Sequence, residues 1–301
     1  DQLTWNDRQG VLELHPERLL GAGARFGSPA GAGAEAGVGA GAGAETEAWV
    51  PPVPPVRLDQ LVGQSAVRDQ LRVAIQSARL TGEPLRHLLF SGEPGRGKTL
   101  LAQAVTGELG VGLVRVPAQL LKSPDAVLRA LLSLTPCAVL FMDELQALGP
   151  RWAELLYEAL EPDRSQSSGG GGSVITLFVR EGLAQRALRV RLPAFTFVGA
   201  TTDEDLVPAP LRSRLEVLRI EPYAHAELAE LLVREAGAKG LQLTPDAAAR
   251  LAGASRATPR TGLQLLNAVR DEAVVAGARA MGADRAQVDR AQVDRAQVDR
   301  A

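Results

Sequence analysis

The chain has 301 residues, of which 46% are hydrophobic and 23% are charged, and its formal net charge is −2. This composition is typical of a soluble globular protein, and it offers no bulk positive charge for binding nucleic acid. The single cysteine, Cys137, excludes an intrachain disulfide framework, and the three scattered histidines lack metal-ligand spacing. No apolar run approaches the ~20 residues of a membrane-spanning helix, and no secretory signal opens the chain. We therefore expect a cytoplasmic protein.

The first 49 residues are predicted to be an extension outside the folded core. Residues 21–48 are rich in glycine and alanine and of low complexity. Such a stretch cannot bury enough apolar surface to offset its loss of conformational entropy, so we expect a flexible linker. The polyproline-like stretch VPPVPPV, residues 50–56, leads from it into the folded part.

From Leu58 onward, helix-like and strand-like patterns alternate along the chain. The predicted strands are 85–91, 112–116, 137–144, 195–202 and 216–222, and the predicted helices are 65–80, 98–109, 123–134 and 151–161, the third of them capped by Ser123. Alternation of this kind predicts a parallel sheet with helices on both faces. The sequence therefore indicates a three-layer α/β domain over residues 50–222.

Three later segments do not follow this alternation. Residues 173–192 have two β-rich arms around REGLAQ and predict an inserted hairpin. After residue 222 the pattern is helical at 224–237, 245–254 and 260–276, which predicts a small all-α lid domain over residues 223–279. Residues 280–301 contain three copies of AQVDR. On a helix the valines of successive copies would rotate by about 140° and share no face, so a solvated tail is expected.

The stretch SGEPGRGKTL, residues 91–100, fits the pattern G-x-x-x-x-G-K-[ST] and lies between a predicted strand and a predicted helix. Its glycines allow backbone N–H groups to turn toward phosphate oxygens, and the positive end of the following helix points to the same place. Lys98 is expected to contact the β- and γ-phosphates, and the Thr99 hydroxyl is expected to bind Mg²⁺. The pattern predicts an ATP site.

Two carboxylates, Asp143 and Glu144, end the buried strand AVLFMDE. Adjacent charges at the end of an apolar run are costly unless they have a function. Asp143 is expected to hold Mg²⁺, and Glu144 is expected to polarise the attacking water as a general base. The sequence GATT, at the end of the next strand, places Thr201 and Thr202 beside them.

The sequence PLRSRL presents Arg212 and Arg214. A phosphate-loop site needs positive charge on the γ-phosphate in the transition state, and a neighbouring subunit often supplies it as an arginine. Taken alone, such an R-x-R pair is more often a solvated helix face. The order of the surrounding motifs favours the functional interpretation.

That order closely resembles the RuvB family, the AAA+ motors that drive Holliday-junction branch migration. The resemblance rests on LDQLVGQ, GEPLRHLLFSGEPGRGKT, VLFMDEL, LPAFTFVGATT, PLRSRL and ATPR, and it covers about residues 53–277. It implies a P-loop AAA+ fold and a Mg²⁺-dependent ATPase. It further implies a ring, expected to be a hexamer, that translocates DNA at four-way junctions with a RuvA-like partner.

The resemblance also implies a role for each matching residue. Thr202 would be sensor 1, Arg214 the arginine finger that acts on a neighbour, and Arg260 sensor 2. The implied nucleotide contacts are Val53, Pro54, Gly95, Gly97, Lys98, Thr99, Leu100, Tyr223 and Arg260, and the implied metal contacts are Thr99 and Asp143. In the hairpin, Leu188 and Val190 match apolar positions that dock the RuvA-like partner.

The chain also departs from the family pattern. DELQA replaces the family's D-E-I-H-R, and Glu93 and Arg96 replace a proline and a leucine in the phosphate loop. Residues 277–301 are too few to build the winged-helix domain that grips DNA, so weak DNA binding by this chain alone is expected. Two alternatives stay open: a RuvB-derived switch or accessory subunit that binds ATP without moving DNA, and a clamp-loader-like ATPase.

Overall fold

A computed structural model describes residues 3–6, 11–14, 56–121, 124–162, 172–181, 184–280 and 292–293. The strands are β1 Leu3–Asn6, β2 Val11–Leu14, β3 Leu88–Ser91, β4 Leu113–Pro117, β5 Val139–Asp143, β6 Ser173–Glu181, β7 Ala184–Leu192, β8 Thr196–Thr201, β9 Glu216–Arg219, β10 Gln242–Leu243 and β11 Gln292–Val293. The α-helices are α1 Ser65–Thr81, α2 Lys98–Leu109, α3 Pro124–Leu132, α4 Pro150–Ala159, α5 Ala209–Arg212, α6 His225–Ala238, α7 Pro245–Ala254 and α8 Pro259–Ala280. The predicted linker, the N-cap Ser123, and Val53 and Pro54 lie outside the described residues.

The central sheet contains five parallel strands in the order β4-β5-β8-β3-β9. Strand β8 lies between β3 and β5, although it follows both in the chain. Because all five strands run in one direction, the carboxyl ends of β3, β8 and β5 meet at one edge. The loops that leave these three ends carry the predicted site, and this edge is hereafter called the carboxyl edge.

Alternating strand residues build a core on each face of the sheet, as the period of two along a strand requires. On one face Leu140 and Met142 pack with α3 and α4. On the other, Val139 and Phe141 pack with α1 and α2. The structure confirms the predicted three-layer α/β domain.

The inserted hairpin is present, and β6 pairs with β7 in antiparallel register from Ser173 and Leu192 to Glu181 and Ala184. Its base packs on the domain core, since Ile175, Val190 and Leu192 are buried in the same cluster as α3 and α4. The expectation that Val190 docks a partner is wrong, because only 2% of this residue is exposed. Leu188 is partly buried against the same core. Successive residues of a strand point to opposite faces, so the intervening Arg189 is exposed.

Two strands of the N-terminal extension were not predicted. Strands β1 and β2 pair with each other in antiparallel fashion, and Leu12 of β2 pairs in parallel with Val190 of β7. The hairpin thus becomes part of a four-stranded sheet in the order β1-β2-β7-β6. Strands of only four residues, such as LTWN and VLEL, carry too little periodicity to be recognised from the sequence.

Helices α6, α7 and α8 enclose a core of their own, built around Leu228, Leu232, Leu251 and Leu266. The lid is helical as predicted, and one short pairing is added to it, in which β10 pairs in parallel with β11 in the second AQVDR copy. The prediction of a solvated tail asked only whether the valines of the AQVDR copies share one face of a helix. Pairing of backbone groups between strands does not require such a face. Within the described ranges, no helix is long and apolar enough to cross a membrane.

Candidate active site

The phosphate loop leaves β3 at the carboxyl edge and ends at Lys98, the first residue of α2. Its start is tied to the neighbouring strand, because Gly92 N donates to Thr201 O over 3.2 Å. The ammonium of Lys98 lies inside the turn and donates to Gly92 O at 2.6 Å and to Glu93 O at 3.0 Å. Burial lowers the pKa of Lys98, while the nearby charges of Asp143 and Glu144 act in the opposite direction. The loop therefore holds a positive charge where its backbone curls.

The lid reaches the phosphate loop at Gly95. Gly95 has a left-handed φ of 81°, and a Cβ at this position would lie 2.9 Å from Arg260 Cβ. Arg260 N donates to Gly95 O at 3.3 Å, so the start of α8 lies directly against the loop. Tyr223 approaches from the same side, since its hydroxyl is 3.8 Å from a Cβ built on Gly97. Burial raises the pKa of Tyr223. The structure thus brings both predicted lid residues to the loop.

Oxygen ligands converge at the end of β5. Asp143 Oδ2 lies 3.5 Å from Thr99 Oγ1 and 3.7 Å from Arg115 Nη2 of β4. Asp143 Oδ1 accepts the backbone N–H of Glu144 at 3.0 Å. A hydroxyl and a carboxylate are hard oxygen ligands, which Mg²⁺ prefers, and Mg²⁺ completes its shell with water and phosphate oxygens. The residues present therefore fit a magnesium ion.

Glu144 follows in a left-handed conformation, with φ at 54°. Its Oε2 accepts a hydrogen bond from Gln146 Nε2, which also donates to Thr202 Oγ1 at 3.0 Å. Thr201 Oγ1 donates to Gln146 Oε1 at 2.8 Å. Sequence reasoning missed Gln146, because it counted DELQA only as a loss of the family's polar residues. The available signal was a side-chain amide two residues after Glu144.

Arg214 does not join this edge. It precedes β9, whose Glu216 pairs with Leu88 at the start of β3, and Glu216 N donates to His87 O at 2.9 Å. Its guanidinium forms an ion pair with Glu161, donates to Pro210 O at 2.6 Å and lies 5.8 Å from the ring centroid of Tyr157. Arg214 thus lies at the amino edge of the sheet and lines a cavity of about 610 Å³ there.

Three other residues were expected to contact the nucleotide, and only one of them lies among the described residues. Leu100 lies in the first turn of α2, and 42% of its surface is exposed. Val53 and Pro54 lie outside the described residues, and the contact expected of them stays a prediction.

The phosphate loop, the strand-end carboxylate pair and the buried strand β8, which lies between them and ends at Thr201, are covered by a helical lid and define a P-loop ATPase domain of the AAA+ class. Two family profiles match the chain. They are the Holliday junction DNA helicase RuvB P-loop domain, over residues 53–220, and the RuvB AAA lid domain, over residues 223–299. The lid match thus continues past residue 279, where the sequence analysis ended the lid.

Individual relatives agree with these profiles. Over 224 residues the chain is 43% identical to the Holliday junction branch migration complex subunit RuvB of Paramagnetospirillum magneticum. This match covers 74% of the chain and 62% of the length of that curated relative. Among solved structures, the Thermotoga maritima RuvB Holliday junction branch migration motor is 31% identical with a TM-score of 0.65, covering 82% of this chain and 70% of that one. A point mutant of that motor gives 31% identity and a TM-score of 0.67, covering 82% and 71%. The chain belongs to the RuvB family.

Proposed function

We propose that this chain is an ATP-hydrolysing motor subunit of the RuvB type, acting in branch migration of four-way DNA junctions. One observation carries the proposal. Lys98, Thr99, Asp143 and Glu144 meet at the carboxyl edge, and Arg260 of the lid contacts the same loop. These are the groups that bind a triphosphate and activate water in P-loop ATPases.

Each residue has a distinct part in the proposed reaction. Lys98 and the loop N–H groups bind the phosphates, and Lys98 offsets the charge that develops on the γ-phosphate. Glu144 accepts a proton from the attacking water. Thr202 orients the γ-phosphate. Thr99 and Asp143 would hold Mg²⁺, which would supply positive charge against the phosphates.

Arg214 completes the site of a neighbouring subunit in this proposal. The position of Arg214 at the amino edge supports an action between chains, because the phosphate loop of its own chain lies at the opposite end of β3. The active form is therefore a ring, as in the family. The number of subunits is expected to be six.

We further propose that a RuvA-like protein docks on the inserted hairpin through the face that carries Arg189, since the opposite face is packed on the core. With a net charge of −2, the chain releases few counterions on DNA, so its own grip on duplex DNA is weak. Junction binding then depends on the partner.

Two variants test the proposal. Lys98→Ala is expected to abolish ATP binding, because it removes the only lysine among the residues that form the described loop. Glu144→Gln is expected to bind ATP like the parent and to stop hydrolysis. Calorimetry and steady-state phosphate release measure the two properties, and Lys239→Ala, at the end of α6, is the matched control. Unchanged ATP binding by Lys98→Ala would refute the phosphate-loop assignment.

The same proteins are then mixed with a four-way junction and a RuvA-like protein, at low and at physiological salt. Strand exchange is expected only with the partner and only with hydrolysing chains. Tight, strongly salt-dependent junction binding by the chain alone would contradict the proposal that junction binding depends on the partner. ATP turnover without any strand exchange would favour a nucleotide switch.

A further inference from the structure

The side-chain amide of Gln146 lies between two groups of the proposed hydrolytic site. Its Nε2 donates to Glu144 Oε2 and, over 3.0 Å, to Thr202 Oγ1. An ionised carboxylate only accepts hydrogen bonds, so the NH₂ side of the amide must face Glu144. The carbonyl side then faces Thr201, whose hydroxyl lies 2.8 Å from Gln146 Oε1 and 2.8 Å from Asp203 O and shares its one proton between these two acceptors. The Glu144 carboxylate thus fixes which side of the amide faces Thr202 and which side faces Thr201.

Rigid elements hold this amide from both sides. Leu145 is fully buried and anchors a short 3-10 helix, Leu145–Ala147, which carries Gln146. A Cβ on Gly199 of β8 would lie 2.7 Å from Leu145 Cδ2, so the turn packs closely on β8 only because that strand has a glycine there. Thr201 is also fully buried and ends β8. The amide therefore connects the end of β8 with the end of β5.

We propose that Gln146 is a positioning residue for ATP hydrolysis, which sets the Glu144 carboxylate and the Thr202 hydroxyl in one common geometry. This inference rests on the proposed function. Thr202 Oγ1 accepts from the amide, so its own O–H proton stays available to donate to a phosphate oxygen. Glu144 receives one amide hydrogen at Oε2, which leaves Oε1 available to accept the proton of the attacking water. A single side chain thus aligns the proton acceptor with the phosphate sensor.

Preorganisation of this kind affects turnover rather than affinity. Neither group bonded by Gln146 is needed to hold the α- and β-phosphates, which the loop and Lys98 bind. Without the amide, the Glu144 and Thr202 side chains reach other rotamers, and the reactive geometry is populated less often. A hydrogen bond to a charged group is typically strong enough for its loss to lower a rate roughly 10- to 100-fold.

The test compares Gln146→Leu and Gln146→Met, which keep the size of the side chain and remove its hydrogen bonds, with Gln76→Leu on the exposed face of α1 as control. Both Gln146 variants are expected to lower kcat for ATP roughly 10- to 100-fold. Their KM, ATP affinity and thermal midpoint should stay close to those of the parent. If one variant does not fold, the other is measured. Gln146→His, which restores one N–H donor, is expected to recover part of the lost kcat.

A double-mutant cycle with Thr202→Val separates positioning from a structural role. If Gln146 acts through the Thr202 hydroxyl, the loss in the double variant is clearly smaller than the product of the two single losses. A kcat equal to the parent's in Gln146→Leu and Gln146→Met would overturn the inference, and so would losses that multiply. If the parent binds ATP but never hydrolyses it, the proposed function fails together with the inference. Parental turnover with unaffected Gln146 variants removes the inference alone.

Discussion

The position of Arg214 leads to a prediction about two inactive variants that restore each other. Arg214→Ala chains keep an intact phosphate loop, and Lys98→Ala chains keep an intact arginine. If Arg214 serves the nucleotide of a neighbour, each variant alone is inactive. A mixture contains interfaces at which an intact loop meets an intact arginine.

The structure gives the reason that Arg214 cannot serve its own nucleotide. Glu216, two positions after Arg214, donates its backbone N–H to His87 O, and Gly92 at the start of the loop lies five positions after His87. At about 3.3 Å per residue, these ends lie roughly 16 Å apart. Arg214 is also held where it is by Glu161 and by Pro210 O.

The expected magnitudes follow from this arrangement. Charge supplied by an arginine finger is worth roughly 10³-fold or more in rate, so each variant alone should retain about a thousandth of the parental activity. We consider a ring with one site per interface that assembles at random from an equal mixture of the two variants. About a quarter of its interfaces then combine an intact loop with an intact Arg214. Phosphate release by the mixture should therefore approach about a quarter of the parental rate.

Arg212→Ala is the matched control, because Arg212 belongs to the same R-x-R pair but bonds Asp205 of its own chain at 3.1 Å. It should hydrolyse ATP like the parent. A mixture no faster than its separate components would refute the action between subunits. Parental hydrolysis by Arg214→Ala, independent of protein concentration, would do so as well.

Two further predictions concern the fold that holds the site. Burial lowers the pKa of His87 from 6.5 to about 4, and Phe197 N donates to its Nδ1 at 3.0 Å. Between pH 6.5 and 4 the unfolded chain therefore binds a proton at His87 more readily than the folded chain does. The contribution of His87 to stability is full above pH 6.5 and is lost as the pH falls toward 4. Urea unfolding should show about 2 kcal/mol less stability at pH 5 than at pH 7, and His87→Phe should remove most of this difference; an unchanged difference would contradict it. Val190→Glu should lower the free energy of unfolding by at least about 3 kcal/mol, because it buries an unpaired charge. The neighbouring Arg189→Glu should change the same urea midpoint little, and a stable Val190→Glu would show that the hairpin base is not core.

The parts of the site that could be predicted from the sequence are those that a local segment determines by itself. A strand, a glycine-rich turn and a helix start suffice to place Lys98 and Thr99, and a buried strand that ends in two carboxylates suffices for Asp143 and Glu144. The contacts of Tyr223 and Arg260 with the loop were expected only from the resemblance. They depend on the way the lid folds back, which no local pattern encodes.

Other features depend on the order of the strands in the sheet. Gln146 meets Thr201 and Thr202 only because β8 enters the sheet beside β5, and a glycine at position 199 permits the close approach. Val190 belongs to an alternating apolar pattern that is typical both of an exposed docking face and of a face packed on a core. Only the packing of the hairpin base on the core distinguishes the two.

The separation of the two edges also restricts how the chains can assemble. The phosphate loop is at the carboxyl edge and Arg214 at the amino edge of one rigid sheet. An interface in which the Arg214 of one chain meets the loop of another therefore joins two different surfaces. A two-fold dimer makes this contact twice, because residue i of one chain meets residue j of the other and j meets i. Head-to-tail contacts make it once at each interface, and they produce a ring if the rotation between neighbours closes and a filament if it does not. The mixture of inactive variants tests the action between chains, and the mass of the ATP-bound assembly distinguishes a two-fold dimer from a closed ring.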